Sequence, residues 1–315
     1  MTSGLWPSIR AQANGLPFTP AGYFYAVDGT AYAGCPAPPQ PLINDGTGYW
    51  CGFSSGMVGG MINTQDGLWA SRCIGYPAAT LPMWPSVQDG RAMLVAAIQA
   101  DAAAYLAANG SYTGFAIAGS GYSQGSMVWD QVWVEDFVAP GGVLNYLLPY
   151  VYRIYQYGHV FRTPGIAWGN ALAGLPQSLP VDGVETGGIG AALDLTEAQT
   201  NYVSPVGTPV IYSCANAGDI YSACEVGLNP WTAIAPEGFI ADLFYKVVMQ
   251  PTFIDVVEVA EVLEHPLAGI VELFRVMQFF AEGVNAPHYE YFPQMDACIN
   301  DALALGNSLP HASGV

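Results

Sequence analysis

The stretch Phe115-Ala116-Ile117-Ala118-Gly119-Ser120-Gly121-Tyr122-Ser123-Gln124-Gly125 decides how the chain folds. Its apolar start, Phe115 to Ala118, predicts a central strand, and Gln124 to Phe137 predicts the helix that follows. Between them, Gly121 to Gly125 fits the pattern G-x-S-x-G, a sharp strand-to-helix turn that pushes a serine hydroxyl outward. Neighbouring side chains would clash in so tight a turn, which explains both glycines. The sequence therefore predicts that Ser123 is a nucleophile.

The same pattern occurs a second time, from Gly52 to Gly56 around Ser54. The pattern alone is weak evidence, because the chain contains 37 glycines. This copy follows only a short run, Tyr49 to Cys51, and Gly59 and Gly60 should disfavour a helix after it. We therefore expect Ser54 to be an ordinary loop serine.

Short apolar runs alternate with longer helical patterns along the chain, which predicts βα units and a mostly parallel sheet. Tyr23 to Val27 reads as the first strand and Pro209 to Tyr212 as a later one. Ser86 is expected to cap a long helix that ends at Gly110. Gln294 to Leu305 is expected to form the last helix. These elements place the chain in the α/β class.

We expect one domain over residues 1–315, because 52% of the residues are apolar and only 10% are charged. A helical insertion, a candidate lid or linker, is predicted within it at about 225–284. It contains two helical patterns, Phe253 to Glu264 and Leu267 to Glu282. Pro266 separates them, because proline disfavours a continuous helix.

Charge and hydropathy exclude several classes of partner. The net charge is −18 with only seven Lys and Arg residues, so no basic patch is available to bind nucleic acid or anionic lipid. No stretch reaches the roughly 18 uninterrupted apolar residues of a spanning helix, so we expect no transmembrane segment. The segment Met1 to Gly22 shows no signal-peptide pattern.

The six cysteines give two opposing indications. Their even number invites disulfides, whereas the missing signal pattern argues against the usual oxidising route. The even number of cysteines and the missing signal pattern are compatible if the protein leaves the cell by lysis or as part of a particle. None of the cysteines has the CxxC spacing of a zinc site, so we expect no metal and no cofactor. The six are Cys35, Cys51, Cys73, Cys214, Cys224 and Cys298.

The partners of Ser123 should follow it as an acid and then a histidine, the order that this kind of elbow uses. His288 lies in a loop after Pro287 and just before the last predicted helix, where a catalytic histidine belongs. A surface-loop histidine is the plain alternative. Of the other histidines, His159 and His265 fall in or before helical segments, and His311 lies in a polar tail.

Asp219 is the predicted orienting carboxylate, because it follows the end of a predicted strand. The plain alternative is a turn aspartate after Gly218. Asp182 and Asp194 are weaker rivals, since no strand precedes them. Cys214 and Cys224 bracket Asp219, and a disulfide between them would stiffen its loop.

These residues predict acyl-enzyme chemistry. His288 would take the Ser123 proton as the hydroxyl attacks an ester, and Asp219 would hold the imidazole tautomer. The oxyanion would meet backbone N–H groups. The candidates for this oxyanion site are Gln124, Gly29 and Thr30. Tyr122 and Tyr289, the neighbours of Ser123 and His288, are the candidate substrate-binding residues.

Several motifs resemble those of a known family. The elbow, Gly121 to Gly125, resembles that of cutinase-like serine esterases, and Gly218-Asp219 resembles their aspartate loop. Gly75 to Ala79 and Pro287-His288-Tyr289 resemble segments of lysin B, the mycolylarabinogalactan esterase family of mycobacteriophages. The resemblance spans roughly Tyr23 to Ala302. It implies a cutinase-like α/β-hydrolase fold, a three-layer sandwich around a mostly parallel sheet with a helical insertion.

The resemblance also implies a substrate and a setting. The substrate would be a long-chain, mycolic-type lipid ester of a mycobacterial envelope, and the protein would be phage-encoded and released at host lysis. An alternative is a virion component of the same fold, used with other virion proteins in assembly, adsorption or entry. A third is an acyltransferase, in which an alcohol replaces water.

Overall fold

The computed structural model describes residues 20–30, 52–79, 83–181, 183–190, 195–225 and 287–309. The predicted insertion at 225–284 lies outside these residues except for its first position, and so do both of its helical patterns. Five further residues of the sequence analysis also lie outside them. These are Cys35, Cys51, Asp182, Asp194 and His311.

A parallel five-stranded sheet forms the centre of the described chain. Its strand order is β2-β1-β3-β4-β6, and every neighbouring pair is parallel. A separate antiparallel pair joins β5 to β7. The strands are β1 Gly22–Val27, β2 Trp69–Cys73, β3 Ile117–Tyr122, β4 Val151–Tyr157, β5 Thr186–Gly187, β6 Ile211–Cys214 and β7 Cys224–Glu225.

Helices cover both faces of the sheet, as parallel strands require. The α-helices are α1 Phe53–Thr64, α2 Met83–Asn109, α3 Gln124–Gln131, α4 Trp168–Leu172, α5 Glu197–Thr200 and α6 Phe292–Ser308. A π-helix, Val132–Val138, continues α3, and 3₁₀ turns occupy Asn145–Tyr150 and Pro287–Tyr289.

Strand β1 explains why the fold has three layers. Tyr25 and Val27 point into one core with α2 and α3, whereas Phe24 and Ala26 point into the other with α1 and α6. A strand that is buried on both faces reads as a continuous apolar run rather than an alternating one. The predicted α/β class with a parallel sheet is confirmed.

The prediction that Ser54 lies in a loop is wrong. Ser54 is fully buried in α1, where its hydroxyl accepts a hydrogen bond from Val27 N (3.2 Å) and donates to Ser120 O (2.7 Å). Glycine propensity did not prevent the helix, because tertiary packing overrides it. A Cβ at Gly60 would lie 2.4 Å from Ile299 Cδ1, so this glycine lets α1 approach α6 closely.

Ser86 is not the cap of α2. In the described chain the helix already extends from Met83, and Ser86 lies inside it. Its hydroxyl accepts from Ala79 N (3.0 Å) and donates to Gln124 Oε1 (3.1 Å), so it links the helix to the residue after Ser123. The predicted end holds, since Gly110 follows α2 with φ +72°.

By length and composition alone, α2 is the one helix of the described residues that could cross a membrane. It packs against α3 in the core that contains Leu94, Ala97 and Ile98. It also carries Asp101, whose carboxylate is paired with Arg72 and accepts a hydrogen bond from the Tyr25 hydroxyl.

The predicted end of the first strand, Val27, is confirmed, whereas the strands predicted at 115–118 and 209–212 start and end later than predicted. Strand β3 runs from Ile117 to Tyr122, so it begins two residues after the predicted start and includes Gly119, which lay outside the predicted strand. A Cβ at Gly119 would lie 2.1 Å from Trp129 Cζ2, so the glycine makes room for an indole ring on the next helix. The last helix, α6, is longer at both ends than predicted.

Candidate active site

Ser123 occupies a strained turn between β3 and α3. It has φ 52° and ψ −119°, and only Ala78 shares a positive φ among the non-glycine residues that the structure describes. A Cβ at Gly121 would lie 2.3 Å from Gln156 Oε1, and one at Gly125 would lie 2.0 Å from Val27 O. The two glycines therefore allow the close approach that the turn needs.

Hydrogen bonds hold Ser123 in this conformation. Its N–H donates to Tyr157 O at the end of β4 (2.9 Å), and its carbonyl accepts from the Ser126 hydroxyl (2.6 Å). Ser126 Oγ in turn accepts from Val160 N (3.2 Å). The elbow is thus fixed to the segment that follows β4, and Ser123 remains partly exposed.

His288 and Asp219 form a buried pair. Nδ1 of His288 lies 2.9 Å from Oδ2 and 3.1 Å from Oδ1 of Asp219. Asp219 follows Gly218, which has φ +84°, in the turn after β6, and His288 lies in the 3₁₀ turn before α6. Donation from Nδ1 to the carboxylate favours the tautomer in which Nε2 can accept a proton.

The Asp219 carboxylate has further donors. Oδ1 accepts from Tyr221 N (2.9 Å), and Oδ2 accepts from the hydroxyls of Ser222 (2.9 Å) and Tyr291 (2.5 Å). Burial raises the pKa of the Asp219 carboxyl, but His288, Tyr291 and the Tyr221 N–H outweigh it and lower that pKa below its usual value. The carboxylate is therefore ionised at neutral pH.

Gly158 connects the serine to the histidine. It follows Tyr157, whose carbonyl binds Ser123 N, and a Cβ built on it would lie 2.6 Å from His288 Cε1 and 3.6 Å from Asp219 Oδ2. The structure thus brings all three predicted residues against the segment that ends β4. This segment lies at the carboxyl edge of the sheet, where α/β folds bind ligands.

Comparison with known proteins adds two findings, although no known protein-family profile matches the chain. The Endolysin B proteins of Mycobacterium phages L5 and D29 are each 38% identical to it over 92 residues, 29% of this chain and 34% of each relative. The match therefore spans about a third of the length of these relatives. The crystal structure of lysin B from Mycobacteriophage D29 superimposes with a TM-score of 0.52 at 22% identity, covering 88% of this chain and 98% of that one.

The chain has the lysin B fold. The α/β-hydrolase fold that the motifs implied is thus confirmed. On this fold, Ser123 stands at the end of the central strand, and Asp219 follows the edge strand. The roles of the individual residues remain predictions.

The predicted oxyanion residues lie beside Ser123. A Cβ at Gly29 would lie 2.9 Å from Ser123 Cβ, so the backbone after β1 approaches the serine closely. The buried Gln124 side chain donates from Nε2 to Ala79 O (2.8 Å), and the same nitrogen is 3.5 Å from Thr30 Oγ1. It thereby holds the loops after β1 and β2 around the start of α3. That the N–H groups bind an oxyanion remains a prediction.

Tyr122 is packed against His288, and its contact with substrate stays a prediction. It is only 2% exposed, its ring stacks on His288 at 5.2 Å between centroids, and its hydroxyl donates to His288 O (3.1 Å). Tyr122 belongs to β3, so its side chain packs beneath the histidine. Tyr289 is half-buried with its ring edge-on to His288 at 5.5 Å, and its substrate contact stays a prediction.

The predicted Cys214–Cys224 disulfide is wrong, because Cys214 carries a free thiol. Its Sγ lies 4.0 Å from Sγ of Cys298 on α6, in the core on one side of the sheet. Cys224 packs in the core on the other side. The loop of Asp219 is held instead by Asn216, which donates from Nδ2 to Pro287 O (2.8 Å).

His159 forms a second histidine–aspartate pair that the sequence analysis did not anticipate. It is completely buried, with Nε2 2.8 Å from Asp130 Oδ2 and Nδ1 2.7 Å from Ser213 Oγ. Asp130 lies on α3 and Ser213 on β6, so the pair joins the helix after Ser123 to the strand before Asp219. Sequence reasoning also missed Gly158, Ser222 and Tyr291; the proximity of Tyr291 to His288 in the chain was the available signal.

Proposed function

We propose that this protein is a serine carboxylic-ester hydrolase with Ser123 as nucleophile, His288 as general base and Asp219 as the orienting carboxylate. One observation carries the proposal: Gly158 adjoins both the turn that bears Ser123 and the His288 ring, whose Nδ1 is bound by an ionised carboxylate. A histidine held in this way has its second nitrogen available as a base.

The reaction would proceed in two halves. Ser123 Oγ attacks the ester carbonyl while His288 takes its proton, and Asp219 stabilises the resulting imidazolium. Gln124 N–H, at the start of α3, and an N–H of Gly29 or Thr30 stabilise the oxyanion. The leaving alcohol takes the proton from His288. Water, activated by the same histidine, then releases the acid from the acyl-enzyme.

We further propose a long-chain lipid ester of the mycobacterial envelope, of the mycolic type, as the substrate. Support comes from the two mycobacteriophage relatives and from the shared lysin B fold. The relatives' name, Endolysin B, favours a phage-encoded enzyme released at host lysis over a virion component. An acidic protein with few basic residues suits an uncharged ester better than an anionic lipid surface.

Hydrolysis of a long-chain p-nitrophenyl ester tests the activity. We expect turnover by the wild type and a loss of at least roughly 1,000-fold in kcat for Ser123→Ala, because the nucleophile is removed. Ser54→Ala is the matched control, since it changes the other G-x-S-x-G serine, and it should retain activity. No turnover by the folded wild type, or unchanged turnover by Ser123→Ala, would overturn the proposal.

Two further measurements test the substrate and the acceptor. Purified mycobacterial cell wall treated with the wild type should release free mycolic-type acids, and wall treated with Ser123→Ala should not. Adding a short alcohol separates hydrolysis from transfer, because an acyltransferase would convert most of the acyl groups to the new ester. Release of acid as the main product supports the hydrolase.

A further inference from the structure

The Tyr291 hydroxyl lies in an unusual place for a buried tyrosine. The side chain is completely buried, and the hydroxyl donates to Asp219 Oδ2 at 2.5 Å, on the carboxylate that binds His288. Tyr291 precedes α6 and follows His288 by three residues. One side chain from the histidine segment therefore reaches back to the aspartate loop.

A second hydroxyl, that of Ser222, lies next to both the Asp219 carboxylate and the Tyr291 hydroxyl. Ser222 Oγ lies 2.9 Å from Asp219 Oδ2 and 2.8 Å from the Tyr291 oxygen. A serine hydroxyl has one hydrogen, so it serves one of these acceptors at a time. The phenol is the more acidic donor of the two, which makes it the better donor to a carboxylate. Tyr291 is thus the principal hydroxyl donor to the carboxylate.

We propose that Tyr291, supported by Ser222, is a positioning residue that sets both the orientation and the charge density of Asp219 for catalysis. The inference rests on the proposed function, because it concerns how the Asp219–His288 pair acts on Ser123. The hydroxyl holds the Asp219 carboxylate in the orientation in which both of its oxygens lie within 3.1 Å of Nδ1 of His288. It also withdraws negative charge from Oδ2, which weakens the attraction between the carboxylate and the imidazolium.

The titratable groups that face the His288 ring determine how a pH titration of that ring can be interpreted. In the part of the chain that the structure describes, the carboxyl of Asp219 and the phenols of Tyr122, Tyr221, Tyr289 and Tyr291 face its ring. Burial raises the pKa of Tyr221 to about 12 and that of Tyr291 well above its usual range. Tyrosines in general stay neutral below about pH 9, so among these five groups the carboxylate is the one that carries charge in an acidic titration.

Tyr291→Phe removes the donor and keeps the ring. The Asp219 carboxylate then carries more charge and attracts the imidazolium proton more strongly. We expect the acid limb of the kcat/KM profile to move to higher pH by about half a unit or more. We also expect kcat to fall roughly tenfold with KM nearly unchanged, because Tyr291 aligns the pair without contacting substrate.

Tyr155→Phe is the matched control. Tyr155 is another completely buried tyrosine of the same core, and its hydroxyl donates to Asp301 Oδ2 (2.7 Å), away from the site. Loss of a buried hydrogen bond should lower the stability of both variants. Only Tyr291→Phe should move the acid limb, since a purely structural role has no effect on proton affinity at His288.

The experiment combines pH-dependent ester hydrolysis with a proton NMR titration of the His288 ring, assigned with His288→Gln. The expected result is an upward move of both the acid limb and the ring's titration midpoint in Tyr291→Phe, with both unchanged in Tyr155→Phe. If Tyr291→Phe does not fold, Ser222→Ala removes the supporting hydroxyl and should give a smaller move in the same direction.

The outcomes separate the inference from the proposed function. An active wild type whose acid limb and ring titration are the same in the folded tyrosine or serine variant would overturn the inference alone. A folded wild type without esterase activity would overturn the proposed function, and with it the inference.

Discussion

Gly158→Ala should disable the site by moving His288. Gly158 has φ +56°, and a Cβ on it would lie 2.6 Å from His288 Cε1 and 2.9 Å from Nδ1. Carbon atoms in contact are normally about 3.5 Å apart or more, so the ring has to move by roughly 1 Å. Such a movement displaces the imidazole from its hydrogen bond with Asp219.

The expected effect of Gly158→Ala has two separable parts, a loss of folding stability and a loss of reaction rate. An alanine in the left-handed region costs about 1–2 kcal/mol of folding free energy, whatever surrounds it. Displacing a catalytic group by about 1 Å costs on the order of 100-fold in rate. Gly174→Ala isolates the first part, because Gly174 has φ +68° and a Cβ there would meet nothing within 4 Å.

Thermal unfolding and ester hydrolysis, measured on both variants, separate the loss of stability from the loss of rate. We expect Gly158→Ala to lose at least as much stability as Gly174→Ala, because of the added overlap with the ring, and Gly158→Ala alone to lose roughly 100-fold in kcat/KM. If Gly158→Ala is as active as Gly174→Ala, the position of the His288 ring does not matter for hydrolysis, and the reasoning is refuted.

Three further predictions follow from buried groups. Ser54→Ala should lower the free energy of unfolding by about 1–3 kcal/mol in urea denaturation, because it leaves the Val27 N–H without its side-chain acceptor; an unchanged midpoint would contradict this. Peptide mapping without reduction should find Cys214 unlinked to Cys224, and a linked peptide would disprove the assignment. The Asp219 pKa is lower in the folded state than in the unfolded one, so its contribution to stability is complete above about pH 4 and is lost as pH falls further. Stability should therefore depend less on pH in that acidic range in Asp219→Asn, and equal slopes would refute it.

Local constraints made the elbow predictable from the sequence. The turn at Ser123 needs small neighbours on both sides, and Gly121 and Gly125 satisfy that need within five residues. The order of the partners along the chain then selected Asp219 and His288, which the structure joins by a hydrogen bond. Both signals are available to a reader of the sequence because they depend on chain order and on backbone geometry.

The errors arose where distant residues decide the outcome. A helix forms through Gly59 and Gly60 because Ile299 packs against the second glycine. Cys214 meets Cys298 rather than Cys224 because α6 covers its side of the sheet. Such contacts join parts of the chain that no local pattern connects.

The helix start was missed for a similar reason. Serine is a common cap, but the hydroxyl of Ser86 serves Ala79 and Gln124 from within α2. Its place in a hydrogen-bond network around the elbow was not visible in the local sequence. Tyr291 is a comparable case, since its contact with Asp219 depends on how the 3₁₀ turn places α6.

The most direct test of the central claim is to label the nucleophile with a reactive alkyl phosphonate and locate the modified residue by mass spectrometry. An activated serine hydroxyl displaces the leaving group and keeps the phosphonyl group, whereas an ordinary serine does not react. The account predicts modification of Ser123 in the folded wild type, with none on Ser54 and almost none in His288→Ala. Labelling at Ser54, or labelling of Ser123 that does not depend on His288, would contradict it.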